Sequence, residues 1–401
     1  MIPVLDKKHI VLGVTGSIAC YKALDLASKL TQGGALVDVV MTQSATRFVT
    51  PLAFGGITHQ PVVIDLFDPQ SELSVEHVAL AERADLLVVA PATANSIAKM
   101  ALGLADDPLT TTLLATMAPV IVAPAMDGHM YENAAVQENL KKLRDRGVTI
   151  VGPDEGYLAS GKMGKGRLVE TPELMGHIRA ILGKDGDLAG STIVVSAGGT
   201  QEPLDPARII TNQSSGKMGY ALAEAARDRG ARTVLVTAPT SLPDPVAVEV
   251  VRVQTALEMR DQVFKATANA QALVMAAAVA DYRPRLASPQ KLKKDSDSMT
   301  LELTRNPDIL TETTGPIVKV GFAAESQDLA QNAREKMARK GLDLIVANDI
   351  TDPESGFGSD SNKVLILGKN GQVEDLPLMP KEAVAHRVLD RVRDLMAAEK
   401  G

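Results

Sequence analysis

Residues 10–19 read Ile-Val-Leu-Gly-Val-Thr-Gly-Ser-Ile-Ala. The apolar run at 10–15 does not alternate with polar residues, which is the pattern of a strand covered on both faces. It breaks at Gly16 into the helical periodicity of residues 18–30, so a strand feeds a helix through a turn of small residues. That unit recurs. Residues 37–42, 86–90 (ending at Pro91), 120–123 and 148–151 read as strands, and 77–84 and 136–146 as helices. Residues 182–190, Leu-Gly-Lys-Asp-Gly-Asp-Leu-Ala-Gly, interrupt the rhythm and read as a linker. A second series follows, with strands at 192–196, 233–236, 273–277, 317–322, 344–347 and 364–367 and a helix at 218–229. The last helix, Lys381–Ala398, sets Val384, Val388, Leu389, Val392, Leu395 and Met396 on one face. Apolar strands alternating with amphipathic helices predict an α/β chain of two Rossmann-like three-layer domains, 1–185 and 191–401, joined at 186–190.

The 401 residues suffice for two cores of ordinary size. Hydrophobic residues make up 45% and aromatics 3%, so those cores are aliphatic. A net charge of −7 argues against a general nucleic-acid binder. Cys20 is the sole cysteine, which excludes a disulfide framework within the chain and fits a reducing cytoplasm. Residues 1–13 carry Asp6, Lys7, Lys8 and His9 and do not read as a signal peptide; no apolar stretch is long enough to span a membrane.

Both halves begin with a strand and glycines, yet neither fits a dinucleotide fingerprint. Gly13-Val-Thr-Gly16-Ser-Ile-Ala lacks the third glycine, and the next strand ends at Thr42, where an acid is wanted for the ribose. Gly198-Gly199-Thr200 is followed by a strand ending at Thr237. Ser215-Gly216-Lys217-Met218 is no P-loop, because neither Ser nor Thr follows the lysine. What remains are small residues at strand ends: Thr15, Gly16, Ser17 and Ile18; Thr42 and Ser44; and Ala92, Thr93, Ala94 and Asn95. They suit a phosphate at a helix N-terminus, and equally suit ordinary capping. Residues 156–167, Gly-Tyr-Leu-Ala-Ser-Gly-Lys-Met-Gly-Lys-Gly-Arg, form a basic glycine-rich flap that fits an anionic ligand or a plain surface loop.

Taken together, Val14-Thr-Gly-Ser-Ile-Ala19, Glu76-His77, Pro91-Ala-Thr-Ala-Asn95, Asp106-Asp-Pro-Leu109, Pro124-Ala-Met-Asp-Gly-His-Met130 and the flap resemble the phosphopantothenoylcysteine decarboxylase family over residues 9–180. The resemblance implies a flavodoxin-like domain that binds FMN in a homo-oligomer, with flavin sites at subunit interfaces. It implies FMN contacts from Gly16, Ser17, Ile18, Thr42, Ser44, Ala92, Thr93 and Asn95, with His77 as active-site base. By family chemistry the flavin takes a hydride from the thiol-bearing carbon, the carboxylate leaves as CO2, and hydride and proton return. Two positions depart from the family pattern: Asp127 stands where asparagine is usual, and Ser160 where a cysteine completes the reaction. A hydroxyl is a far weaker acid than a thiol of pKa about 8.5. A protonated Asp127 working with Ser160 is one expectation; oxidation without proton return, or a flavin-binding scaffold that only displays the other domain, are the alternatives.

Residues 191–398 resemble phosphopantothenate–cysteine ligase through Ser196-Ala-Gly-Gly-Thr-Gln-Glu-Pro-Leu-Asp-Pro206, Asn212-Gln-Ser-Ser-Gly-Lys-Met-Gly219, Ala276-Ala-Ala-Val-Ala-Asp-Tyr-Arg283, Lys291-Leu-Lys-Lys294, Asn306-Pro-Asp-Ile-Leu310, Gly321-Phe-Ala-Ala-Glu325 and Asn348-Asp349. The resemblance implies coenzyme A biosynthesis: CTP and a divalent cation such as Mg2+ activate 4′-phosphopantothenate as an acyl-cytidylate, and the amine of cysteine displaces CMP. It assigns CTP to Met275, Ala276, Ala277, Asp281, Lys291, Pro307, Asp308, Ile309, Leu310, Phe322, Lys336 and Lys340, and the acyl-cytidylate to Asn212. Ligase dimers and a cytoplasmic setting belong to the same expectation. No dense carboxylate cluster marks a protein-held metal, whose ligands stay unassigned.

Overall fold

A strand apolar on every side chain has to be covered above and below, and that requirement shapes both halves of the chain. The computed structural model describes residues 2–67, 76–293, 299–325, 329–349 and 358–398, with backbone only for Glu76, Ala324, Glu325, Leu329 and Asp349. It separates into two units after Leu182. No helix among the described residues is long and apolar enough to cross a membrane.

The first unit runs β1 (His9–Val14), α1 (Cys20–Gln32), β2 (Leu36–Met41), α2 (Pro51–Thr58), β3 (Val62–Val63), α3 (Glu76–Arg83), β4 (Leu86–Ala92), α4 (Ala94–Leu102), α5 (Pro108–Ala115), β5 (Val120–Pro124), α6 (Gly128–Glu132), α7 (Ala134–Asp145), β6 (Thr149–Ile150), β7 (Asp154–Tyr157), β8 (Met163–Arg167) and α8 (Thr171–Leu182). Its parallel sheet has the order β3-β2-β1-β4-β5-β6. This is the 3-2-1-4-5-6 doubly wound order, so the expected flavodoxin likeness holds for the layers and not for the strand order, which would be 2-1-3-4-5. Ile10, Leu12 and Val14 pack with Leu26 of α1, Phe54 of α2 and Ile178 of α8. Val11 points the other way, into a core with Leu80, Ile97, Leu109 and Leu140.

The second unit runs β9 (Thr192–Ala197), β10 (Gln201–Asp205), β11 (Arg208–Thr211), α9 (Lys217–Asp228), β12 (Arg232–Thr237), β13 (Glu249–Arg252), α10 (Ala256–Thr267), β14 (Ala272–Met275), β15 (Tyr282–Pro284), β16 (Leu303–Arg305), α11 (Ile309–Glu312), β17 (Val318–Glu325), α12 (Leu329–Lys340), β18 (Leu344–Asp349), β19 (Ser361–Gly368), β20 (Val373–Pro380) and α13 (Lys381–Ala398). Its eight-stranded sheet, β13-β12-β9-β14-β17-β18-β19-β20, is parallel from β13 to β18 and closes with an antiparallel pair. Ile193, Val195 and Ala197 face α9 and α13, whereas Val194 faces α10 and α12.

Three expectations change in detail. Helix α1 begins at Cys20 instead of residue 18, because Ser17 N–H turns back to Thr15 O at 2.8 Å and Ser17 Oγ accepts Ala19 N–H at 3.3 Å. Strand β4 continues through Pro91 to Ala92; the proline sits where the ladder to β5 shifts register, so its missing N–H interrupts nothing. The glycine-rich flap is an antiparallel hairpin, β7–β8, with Gly156 opposite Gly164.

The segment read as a linker is packed. A Cβ on Gly183 would fall 2.0 Å from Asp228 O, and one on Gly186 would fall 2.6 Å from the Arg229 backbone. Arg229 also holds Asp187 at 2.6 Å, and Leu188 is buried. Gly183→Ala therefore has to push the end of α9 aside, and should destabilise the second unit by about 1–3 kcal/mol in thermal unfolding, without changing the first unit's transition.

Candidate functional site

Each unit opens a cleft at the carboxyl ends of its parallel strands, where the strand order reverses. In the first unit the ends of β1 and β4 are bridged by one side chain: Thr15 Oγ1 donates to Pro91 O at 2.8 Å and accepts Thr93 N–H at 2.9 Å. The turn between β1 and α1 then comes against the loop after β2 so closely that a Cβ on Gly16 would lie 2.4 Å from Ser44 Cβ. A cleft of about 550 Å³ results, within the range of about 300–1,000 Å³ usual for small-molecule and cofactor sites.

Of the residues expected here, Gly16, Ser17, Ile18, Thr93, Asp127 and Ser160 line the cleft. Thr42 and Ser44 sit just outside it, with Thr42 Oγ1 accepting Ala45 N–H at 3.3 Å. Ala92 is fully buried beneath the floor and Asn95 is exposed on the first turn of α4. His77 is half-buried near the start of α3 and is not among the lining residues. Capping and site lining coexist, since Thr93 Oγ1 also accepts Ser96 N–H as the cap of α4. Asp106 and Asp107 act in packing: both bind Lys99, and Asp107 caps α5.

The hairpin forms one wall. Gly166 passes so close to the loop after β5 that a Cβ would lie 2.2 Å from Met126 O, and Met126 N–H donates to Gly166 O at 3.0 Å. At the tip, Ser160 Oγ donates to Asp127 Oδ2 at 2.8 Å. Asp127 Oδ1 accepts His129 N–H at 3.1 Å as the cap of α6. The Ser160 hydroxyl first, then that N–H, hold the Asp127 carboxyl below the usual carboxylate range. These hydrogen bonds favour the ionised carboxylate, against the one of the sequence-based alternatives that needs a protonated Asp127 in the free protein.

Lys22 was not anticipated. Its side chain is 9% exposed, and Nζ donates to Leu168 O at 2.8 Å and Glu170 Oε1 at 2.9 Å, so helix α1 grips the stem of the hairpin. Glu170 also binds Arg167, a further lining residue, and Lys22 above all lowers its pKa. The signal was present in the helical spacing: Lys22 stands in line with the buried Leu26 and Leu30.

In the second unit a cleft of about 660 Å³ gathers Asn212, Met275, Ala276, Ala277, Asp281, Pro307, Asp308, Ile309, Leu310, Phe322, Lys336 and Lys340. Ser196 Oγ on β9 accepts Ala277 N–H at 3.1 Å, tying the loop after β14 to the sheet, and Asn212 Nδ2 donates to Val279 O at 3.2 Å, tying that loop to the one after β11. Burial pushes the Asp308 carboxyl up, but Lys340, paired with it at 3.0 Å, and the hydrogen bonds from Thr311 together bring it below its usual range. Lys336 Nζ donates to Phe322 O at 3.0 Å. Lys291 is exposed and does not line the cleft. Its neighbour Leu292 is bound through N–H to Asp205 and through O to Arg208, on the β10–β11 hairpin. Lys294, and the side chains of Glu325 and Asp349, lie outside the described residues.

The opposite end of this cleft was missed. Lys217, dismissed as a P-loop lysine, lines it at the N-terminus of α9 and binds Gly358 O and Asp360 Oδ1, both at 2.7 Å. Lys381 lines it too; burial, then the nearby Lys217 charge, lower its pKa. Asn362 beside them is 4% exposed and its Oδ1 has no hydrogen-bond partner. Among the described residues one trio of possible metal ligands comes together, Asp228, Glu382 and His386. It lines neither cleft, and Arg227 already clasps Asp228 at 2.6 Å.

Residues 4–183 match the flavoprotein family, and residues 188–396 match the DNA/pantothenate metabolism flavoprotein C-terminal domain. Over 398 residues the chain is 46% identical to a coenzyme A biosynthesis bifunctional protein CoaBC of Vibrio cholerae serotype O1, covering 98% of this chain and 99% of that protein. The Bacillus subtilis strain 168 protein of the same name is 46% identical, with 98% of each chain covered. That of Escherichia coli strain K12 is 44% identical, with 97% of each covered.

The contact at Gly166 sets where the hairpin rests. Gly166→Ala should cost about 1–3 kcal/mol locally and lift the tip from Asp127. Limited trypsin digestion should then cut at Lys162 and Lys165 severalfold faster than in the parent chain.

Proposed function

The chain belongs to the family of bifunctional coenzyme A biosynthesis proteins, and we propose that it carries out both reactions of that family: CTP-dependent ligation of 4′-phosphopantothenate with cysteine in the second unit, and FMN-dependent decarboxylation of the product to 4′-phosphopantetheine in the first. The observation that carries this reading is the second cleft. Twelve residues from separate strand ends, loops and helices, named from the family resemblance, line one cavity together with four lysines, two of them among the twelve.

The ligation joins a carboxylate to the α-phosphate of CTP, releases pyrophosphate, and then exchanges CMP for the amine of cysteine. Lys336 and Lys340 are placed to neutralise the charge that gathers on the phosphates, and Asp308 holds Lys340 ready until they arrive. Mg2+ would accompany the triphosphate, and among the described residues Asp281 and Asp308 are the carboxylates of the cleft that could hold it. Asn212 fixes the loop against which the acyl-cytidylate lies. The far end, with Lys217, Lys381, Asn362 and the N-terminus of α9, fits the phosphate of 4′-phosphopantothenate.

In the first unit the Gly16 turn and the start of α1 fit the FMN phosphate, since a side chain at 16 would fill the cradle. The flavin supplies hydride chemistry when bound. The protein's part is to orient the substrate under the β7–β8 hairpin and to manage protons through Asp127, Ser160 and His77. Ile18 and Tyr21 at the cleft are each 61% exposed, which suits a second copy of the chain completing the site in a homo-oligomer. Ligase dimers and a cytoplasmic location complete the reading.

Purified protein given 4′-phosphopantothenate, cysteine, CTP and Mg2+ should yield 4′-phosphopantetheine by mass spectrometry. Phosphopantothenoylcysteine alone would reject the first unit's role, and an oxidised enethiol would show that it stops halfway. The two ends of the ligase cleft separate kinetically. Lys340→Ala should raise the KM for CTP about tenfold or more, and Lys381→Met should do so for 4′-phosphopantothenate with the CTP KM unchanged, each step of ten being about 1.4 kcal/mol.

A further inference from the structure

Asp127 and Ser160 form one hydrogen-bonded unit facing the first cleft. The contact is imposed from the hairpin's stem: Gly166 is pressed against Met126, and Lys22 holds Leu168 O, so the tip is delivered onto Asp127. The charged groups nearby come from each element packed there. His129 on α6 and Lys162 on the hairpin act on Asp127 directly. Lys165 lies over the Tyr131 ring at 5.6 Å, while Lys22 of α1 and Arg167 of β8 are both engaged by Glu170. An ionised carboxylate that already holds a hydroxyl can take up a proton through it and later give it back.

We propose that Ser160 and Asp127 are a two-residue proton relay for the decarboxylation, with Ser160 Oγ meeting the substrate thiol and Asp127 storing the proton. The proposal rests on the decarboxylase reading above. In the oxidative half the S–H bond breaks, its proton passes to Ser160 Oγ, and the Ser160 hydroxyl proton moves to Asp127 Oδ2. A bound flavin would supply the acceptor for the hydride of the adjoining carbon, which leaves the substrate with a carbon–sulfur double bond. Once CO2 has left, the hydride would return to the sulfur-bearing carbon and the stored proton to the sulfur, while a second proton, drawn from water, replaces the departed carboxylate on its carbon; the cycle is redox-neutral, needs no outside oxidant and consumes one proton per CO2 released. A resting, ionised Asp127 is the state that can accept. A serine suits this place because its hydroxyl passes a proton on without ionising, whereas a thiol beside the carboxylate would be hindered from forming thiolate by the like charge.

That physical consequence gives a readout independent of turnover. In Ser160→Cys, the introduced thiol should titrate about one pH unit or more higher than in Ser160→Cys/Asp127→Asn, as read from the pH dependence of alkylation, with the buried Cys20 of the parent chain as background. Asn replaces Asp well as a helix cap, so the Asp127→Asn variants should keep their fold and their flavin absorbance. For turnover, Asp127→Asn and Ser160→Ala should each slow decarboxylation tenfold or more, and the double variant should be no slower than either. Equal thiol titrations, or losses that multiply in the double variant, overturn the relay while leaving the decarboxylase reading standing. A shifted thiol together with no decarboxylation by the parent chain overturns the reading, and the relay with it.

Discussion

The central strands have no polar face, and the rest of the architecture follows from that constraint. Val11 and Leu12 point to opposite sides of the first sheet and are both fully buried, as are Val194 and Val195 in the second. Helices must lie on both faces, and a crossover helix returns the chain to start each new parallel strand. Backbone groups then remain accessible at the strand ends, and a crevice opens where successive connections leave for opposite faces. Both clefts lie there, beside β1 and β4 and beside β9 and β14.

The two clefts are finished differently. In the first unit a hairpin is laid over the crevice and held at its stem by a glycine contact and by the buried Lys22, so that its tip can meet Asp127. In the second, lysines from α9, α12 and α13 converge on a polar cavity. One arrangement encloses a largely apolar space under a hydrogen-bonded serine–aspartate pair; the other collects positive charge. The motifs that mark both sites also include residues with purely structural tasks. Glu202 accepts Ala256 N–H at 2.9 Å, and Asp205 accepts N–H groups of Ala207 and Leu292.

Much of this was legible along the chain. The strands at 10–15, 37–42 and 192–196 needed no partner to be recognised, because a run apolar at every position has few other uses. The last helix, Lys381–Ala398, is found with its expected bounds. Twelve residues of the second cleft could be named from the family resemblance; Lys291, named with them, stands apart from the cleft because its segment is held by the β10–β11 hairpin. Lys22 and Lys217 carry no role in the sequence reading for different reasons: Lys22 stands in the apolar stripe of an ordinary helix, and Lys217, although inside the Asn212–Gly219 motif, fits no P-loop and has its partners far along the chain.

Secondary structure, the two-unit organisation and the chemistry of the motifs thus lie in local pattern, since periodicity, glycine placement and residue type act over a few neighbours. Strand order, the packing of the segment at 183–190, and the partners of Asp127, Lys22 and Lys381 do not. Each depends on contacts between residues far apart in the chain: 33 positions for Ser160 with Asp127, 146 for Lys22 with Leu168. The apparent mismatch of Asp127 and Ser160 with the family pattern belongs to this second class. Read singly, each looks like a lost function; brought to 2.8 Å by the hairpin, they are a hydrogen-bonded pair whose acid–base state is set by the two together.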